Sequence, residues 1–114
     1  MKYVMLIYQA PSYDPKALSS DDKDVAQRYA LVNKTPNVRP GPPLGLAKEA
    51  ITVRMRDGGV IAAPGPYIEQ AGGTVGGFLE FEAETDEEAV RLASQIPAVS
   101  QGGAVEIRPS KVYW

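Results

Sequence analysis

Thr85-Asp-Glu-Glu-Ala-Val-Arg-Leu-Ala-Ser-Gln-Ile-Pro97 is the stretch that decides the fold. Ala89, Leu92, Ala93 and Ile96 recur at i, i+3, i+4 and i+7, which is one stripe of a helix. Thr85 opens a capping box: its hydroxyl accepts from the N3 amide while Glu88 reaches back. Pro97 is expected to end the helix. On its N-terminal side, Val75 to Glu82 reads as a strand, with Val75, Leu79 and Phe81 on one face and Phe78, Glu80 and Glu82 on the other. On its C-terminal side, after the Gly102-Gly103 turn, Ala104 to Arg108 reads as a strand with Val105 and Ile107 facing in.

The first half repeats the pattern. Lys2-Tyr-Val-Met-Leu-Ile-Tyr8 is rich in β-branched and aromatic residues and predicts a strand. Both of its faces are apolar, so both need a cover. A loop with Pro11 and Pro15 follows, and then a helix capped by Ser19 or Ser20 and running to about Asn33. Val25, Tyr29 and Val32 form its stripe, and Asp21, Asp22 and Asp24 sit near its positive end. Thr35 to Gly45 holds Pro36, Pro40, Pro42 and Pro43 and reads as an extended or irregular connector, not a domain linker. Ile51 to Arg56 alternates as a strand, Asp57-Gly58-Gly59 is a hairpin turn, and Val60 to Ala63 is the return strand. The order strand, helix, strands, helix, strand predicts an α+β fold, the ferredoxin-like βαββαβ arrangement with an added β-hairpin. Its helices cover one sheet face. A second subunit is the simplest cover for the other, which predicts a homodimer with two sheets face to face.

Composition bounds the function. The 114 residues fit a single domain, 1–114, with no room for two cores. Apolar residues make up 44% and charged residues 23%, as in an ordinary globular protein. The sequence has no Cys and no His, which excludes disulfides, thiolate-bound metals, a Cys nucleophile and a Ser-His-Asp triad. A net charge of −2 gives no footprint for nucleic acid. The apolar run Tyr3–Tyr8 is far short of the roughly 20 residues that span a membrane, and it lacks the flanks of a signal peptide. No membrane association is expected, and the default compartment is the cytoplasm.

Several segments, taken in order, resemble the YCII-related family, in its branch named for an Asp-Gly-Pro-Phe motif (DGPF). They are Met1-Lys-Tyr-Val-Met-Leu-Ile-Tyr8, Thr52-Val-Arg-Met-Arg-Asp-Gly58, Gly65-Pro-Tyr67, Gly76-Gly-Phe78, Asp86-Glu-Glu-Ala89 and Gly103-Ala-Val-Glu-Ile-Arg-Pro109. The resemblance implies a ferredoxin-like fold of the dimeric α/β-barrel type. The motif itself departs from the family pattern. Where the family runs Asp-Gly-Pro-Phe-Ala-Glu-Thr-Lys-Glu, this chain has Pro64-Gly-Pro-Tyr-Ile-Glu-Gln-Ala-Gly72, with Glu69 retained. Activity built on the His and Asp pair associated with YCII enzymes does not carry over, because the chain has no His.

Three groups are candidate site residues. Glu69 with Tyr67 follows the Pro-Gly-Pro turn, where a buried carboxylate would be poised for proton transfer; the plainer reading is a solvated or ion-paired Glu69. Arg54, Glu80, Glu106 and Arg108 form a polar set if their strands are neighbours. Arg54 and Arg108 would then bind a carboxylate or enolate, or the set would simply pair internally. Tyr8, at a strand end, can donate to an anion or serve as a core aromatic like Tyr3 and Tyr29. Asp14, Asp21, Asp22 and Asp24 do not match a calcium loop, so no metal is expected, nor any cofactor. Gly72-Gly73 and Gly76-Gly77 miss the phosphate-loop patterns and read as a turn and a close strand crossing. Tyr113-Trp114 reads as an anchor.

The favoured expectation is a small non-catalytic or regulatory dimer that binds a small organic ligand at the sheet face. Catalytic action is the alternative: a cofactor-independent lyase, isomerase or cyclase acting on a small carbonyl, lactone or aromatic acid, with Glu69 as base. A protein-interaction domain using the Pro-rich 35–45 segment is the third.

Overall fold

Alternation along Lys2–Gln9 sets the centre of the molecule. The computed structural model describes residues 1–10, 22–42, 44–68 and 73–111, and the side chains of all of these except 22–24. It places strand β1 (Lys2–Gln9) with Tyr3, Met5 and Ile7 buried and Val4, Leu6 and Tyr8 half-buried. Helix α1 (Asp22–Asn33), strand β2 (Val38–Pro40), a 3₁₀ turn (Ala47–Glu49) and strands β3 (Ile51–Arg56), β4 (Gly59–Pro64) and β5 (Thr74–Glu82) follow. Helices α2 (Asp86–Ala93) and α3 (Pro97–Ser100) and strand β6 (Ala104–Pro109) complete the chain. The fold is mixed α+β. Four strands form an antiparallel sheet in the order β2-β5-β1-β6, and β3 with β4 form a separate two-stranded sheet.

The core lies on one face of the main sheet. Met5, Leu79 and Phe81 meet Val32 of α1, Ala89 and Ala93 of α2, and the fully buried Ile96. Tyr29, Leu92, Val105 and Ile107 close its margins. Tyr3 stacks on Phe81, with ring centroids 5.4 Å apart. Its hydroxyl donates to Asp86 Oδ1 at 2.6 Å, tying the first turn of α2 to β1. That bond, then burial, then the charges of Asp86, Glu87 and Glu88 raise the Tyr3 pKa above its ordinary 10.0. The folded chain therefore holds this proton more tightly than the unfolded one. The stabilisation is complete below pH 10 and is lost as pH rises from 10 through the folded pKa. We expect the urea midpoint of the wild-type chain to fall in this alkaline window more steeply than that of Tyr3→Phe. Parallel pH profiles for the two proteins would show that the hydroxyl is not held by Asp86.

The structure corrects several expectations. The Pro-rich connector contains β2, an edge strand paired to β5, so this segment supplies a strand of the main sheet. Proline is admissible there because an edge strand leaves its outer donors unpaired. A bulge between Ile7 and Tyr8 of β1 and the 75–77 stretch of β5 shifts the register. Val75 then pairs with Tyr8 and shares the face of Phe78, opposite to Leu79 and Phe81. Thr85 caps α2 as expected, its side chain accepting from the Glu88 amide at 3.1 Å. The Glu88 carboxylate, however, accepts from Glu84 N–H and does not close the box on Thr85. Pro97 does not simply end a helix. The chain turns after Ala93, and Pro97 opens α3, where its missing N–H costs nothing. The residues expected to cap α1, Ser19 and Ser20, lie outside the described residues, as do Asp14, Asp21 and Tyr113-Trp114.

The hairpin forms as its turn predicts. Asp57 (φ 51°) and Gly58 (φ 79°) both take the left-handed conformation of a type I′ turn. All residues of β3 and β4 are exposed except the half-buried Thr52. Among the described residues no helix is long and apolar enough to cross a membrane.

Candidate ligand cleft

On the sheet face away from the helices, Val75 and Phe78 are about 40% exposed and no described helix covers them. The cross-strand rows of this face follow from the register: Arg39, Glu80, Val4 and Arg108 in one; Phe78, Leu6 and Glu106 in the next; Val75, Tyr8 and Ala104 in the third. At the third row the sheet meets the base of the hairpin, and a cleft of about 880 Å³ opens there. Its floor is Tyr8, Val75, Ala104, Glu106 and Arg108. One wall is the 44–50 segment, and the other is Pro66, Tyr67 and Ile68. The size and mostly apolar lining suit a small organic molecule.

Each wall is tied down locally. The Glu49 carboxylate accepts from Leu46 N–H at 2.6 Å, which closes the 3₁₀ turn. Gly65 N–H donates to Ala50 O at 2.8 Å, and Thr52 Oγ1 donates to Gly65 O at 2.7 Å, fixing the approach of the Pro66–Ile68 wall. The Tyr8 end of the floor is held by glycines. A Cβ on Gly73 (φ 105°) would fall inside the Gln9 carbonyl group, and one on Gly103 would overlap Tyr8 O. Only Gly lets the backbone at both positions come this close to the end of β1.

Polar groups are few and spread out. Arg108 Nε donates to Glu106 Oε2 at 2.6 Å, which draws the guanidinium back toward the Tyr8 end. This pair is exposed, so it orients the side chain more than it stabilises the fold. The arginine edge not used by Glu106 remains available for a carboxylate. Tyr8 is opposite Ala104, four residues from Arg108, so the two backbones stand about 14 Å apart along β6. A ligand reaching both is elongated.

The structure brings Tyr8, Tyr67 and Arg108 together in this cleft, with Glu106 of the polar set beside them. Arg54 is not a member of the sheet set. It belongs to the separate hairpin, and its guanidinium lies over the Tyr67 ring, 5.2 Å from the centroid, as a cation–π contact. Glu80 is one row beyond Phe78, opposite Arg39 and Val4. Tyr3 and Tyr29 serve the core side, where Gln9 Nε2 donates to the Tyr29 hydroxyl at 3.2 Å. Glu69 lies outside the described residues; Ile68 is the last described residue of its wall. No group of acidic residues among those described is arranged to hold a metal. Sequence reading missed Leu44, Leu46 and Thr74 as lining residues, because nothing local marks a connector as a wall. Neither a protein-family model nor a curated protein matches the chain.

Proposed function

We propose that this chain works as a homodimer that binds a small organic ligand in the cleft, in a non-catalytic or regulatory role. The observation that carries the reading is that Tyr8, Tyr67 and Arg108, from three distant parts of the sequence, line one mostly apolar cleft. The absence of His and Cys from the sequence favours binding over turnover. The dimer is supported by the uncovered sheet face, where Phe78 and Val75 stay about 40% exposed beside half-buried Val4 and Leu6. The strand order β2-β5-β1-β6, with helices on one face, supports a ferredoxin-like reading in which the hairpin is an insertion. Kinship with the YCII-related family is part of the same proposal and rests on the order of the motifs along the chain. A cytoplasmic setting fits a cysteine-free chain.

Arg108 and the Tyr8 hydroxyl select for an anionic or carbonyl oxygen, and the walls for a planar apolar body. A thermal-shift series with aromatic carboxylates, lactones, quinones and phenols tests this. One class should give a saturable rise worth about 2.7 kcal/mol at a hundredfold excess over Kd. Arg108→Ala and Tyr8→Phe should each weaken that ligand on the order of tenfold, since each removes a hydrogen bond to it. No shift across the panel would overturn the reading. The catalytic alternative takes Glu69 as base, since Ile68 before it lines the cleft. It predicts turnover of the identified ligand that Glu69→Gln abolishes with binding intact.

A further inference from the structure

The hairpin presents a wholly apolar face that the described residues leave bare. By register, Ile51, Val53 and Met55 are opposite Pro64, Ala62 and Val60, and all six side chains share one side. Ile51, Val53, Met55 and Val60 are each 65–73% exposed. Together they make a patch on the order of 500 Å², at the upper end of what a soluble monomer keeps open. A lone two-stranded hairpin is at best marginally stable in water. This one needs a cover.

None of the described residues supplies one. The opposite face is the one turned inward: Thr52 donates to Gly65 O and Arg54 lies over Tyr67. The apolar side therefore points away from the cleft. We infer that this side is seated on a second copy of the chain, with the two hairpins acting as reciprocal arms of the homodimer. The inference rests on the dimer reading above and adds the surface that makes it. The area fits. Two hairpins contribute about 1,000 Å², and the surfaces they lie on contribute about as much again, which reaches the roughly 1,200–2,000 Å² of a specific interface. Six-residue strands are about 20 Å long, enough to cross a four-stranded sheet about 19 Å wide.

A cysteine-free chain allows a clean test. Met55→Cys and Arg56→Cys place thiols on neighbouring positions of opposite faces, and Val60→Cys repeats the first from the paired strand. Sedimentation should give a dimer at micromolar concentration. Labelling with a charged maleimide should then be about tenfold slower at positions 55 and 60 than at 56, and the difference should vanish on dilution to monomer. Val53→Glu should give a monomer that keeps its far-ultraviolet circular dichroism. A dimer with equal labelling at all three positions, or one that survives Val53→Glu, overturns the hairpin assignment and leaves the dimer reading standing. A wild-type monomer overturns both.

Discussion

Gly73→Ala is expected to leave little folded protein. At φ 105° an L-residue is strained, and the added methyl would occupy the space of the Gln9 carbonyl. The neighbouring backbone has no freedom to retreat, because Gln9 pairs with Thr74 and Tyr8 is bonded on both sides, to β5 and to β6. Strain and overlap together cost on the order of 4 kcal/mol. That is a large share of the ~5–15 kcal/mol that holds a domain together. Thermal unfolding should start about 20 °C lower, if a transition is seen at all. Gly77→Ala is the control. It lies on β5, four residues further along, and a Cβ there meets nothing within 4 Å. Equal stability of the two variants would show that the backbone at Gly73 does not press on the end of β1.

Phe81→Ala should cost 3–5 kcal/mol, the range for an aromatic deleted from a core. Phe81 is 1% exposed, stacks on Tyr3, and is flanked in register by Tyr3 and Val38. The void would also loosen Tyr3, whose hydroxyl holds Asp86, so α2 should lose protection together with the sheet. Urea unfolding with an unchanged slope gives the loss directly. Phe78→Ala, three residues earlier on the opposite face, should behave differently. Its effect should fall mainly on the proposed dimer and depend on protein concentration. If Phe78→Ala lowered stability equally at all concentrations, the open face would be part of the chain's own core.

Sequence legibility tracked how local each cause is. Alternation in β1, the Asp57-Gly58 turn and the Thr85 cap are decided within a few residues, and all three appear in the structure. β2 was hidden because its only reason to exist is the edge of β5, and its prolines argue against a strand everywhere except at an edge. The face of Val75 was misread because a bulge changes the phase of alternation without changing the residues. Pro97 is ambiguous in sequence, since the same ring that blocks a helix interior suits a first helical position. For the cleft, Tyr8, Tyr67 and Arg108 are readable as polar side chains, but joining Arg54 to Arg108 depends on β3 being a neighbour of the main sheet's strands, which it is not. Strand partners are a long-range choice, and only the structure separates the hairpin from the four-stranded sheet.

The central position of β1 has a consequence for biosynthesis. This strand is made early, and both of its neighbours, β5 and β6, come late. Tyr3 waits for Asp86 across 83 positions of chain. At roughly 5–20 residues per second that is on the order of 4–17 s. During this interval a strand that is apolar on both faces has no partner, and afterwards the sheet closes only through long loops, which is slow. Newborn chains thus expose an apolar strand for seconds before its partners exist, a stage prone to aggregation.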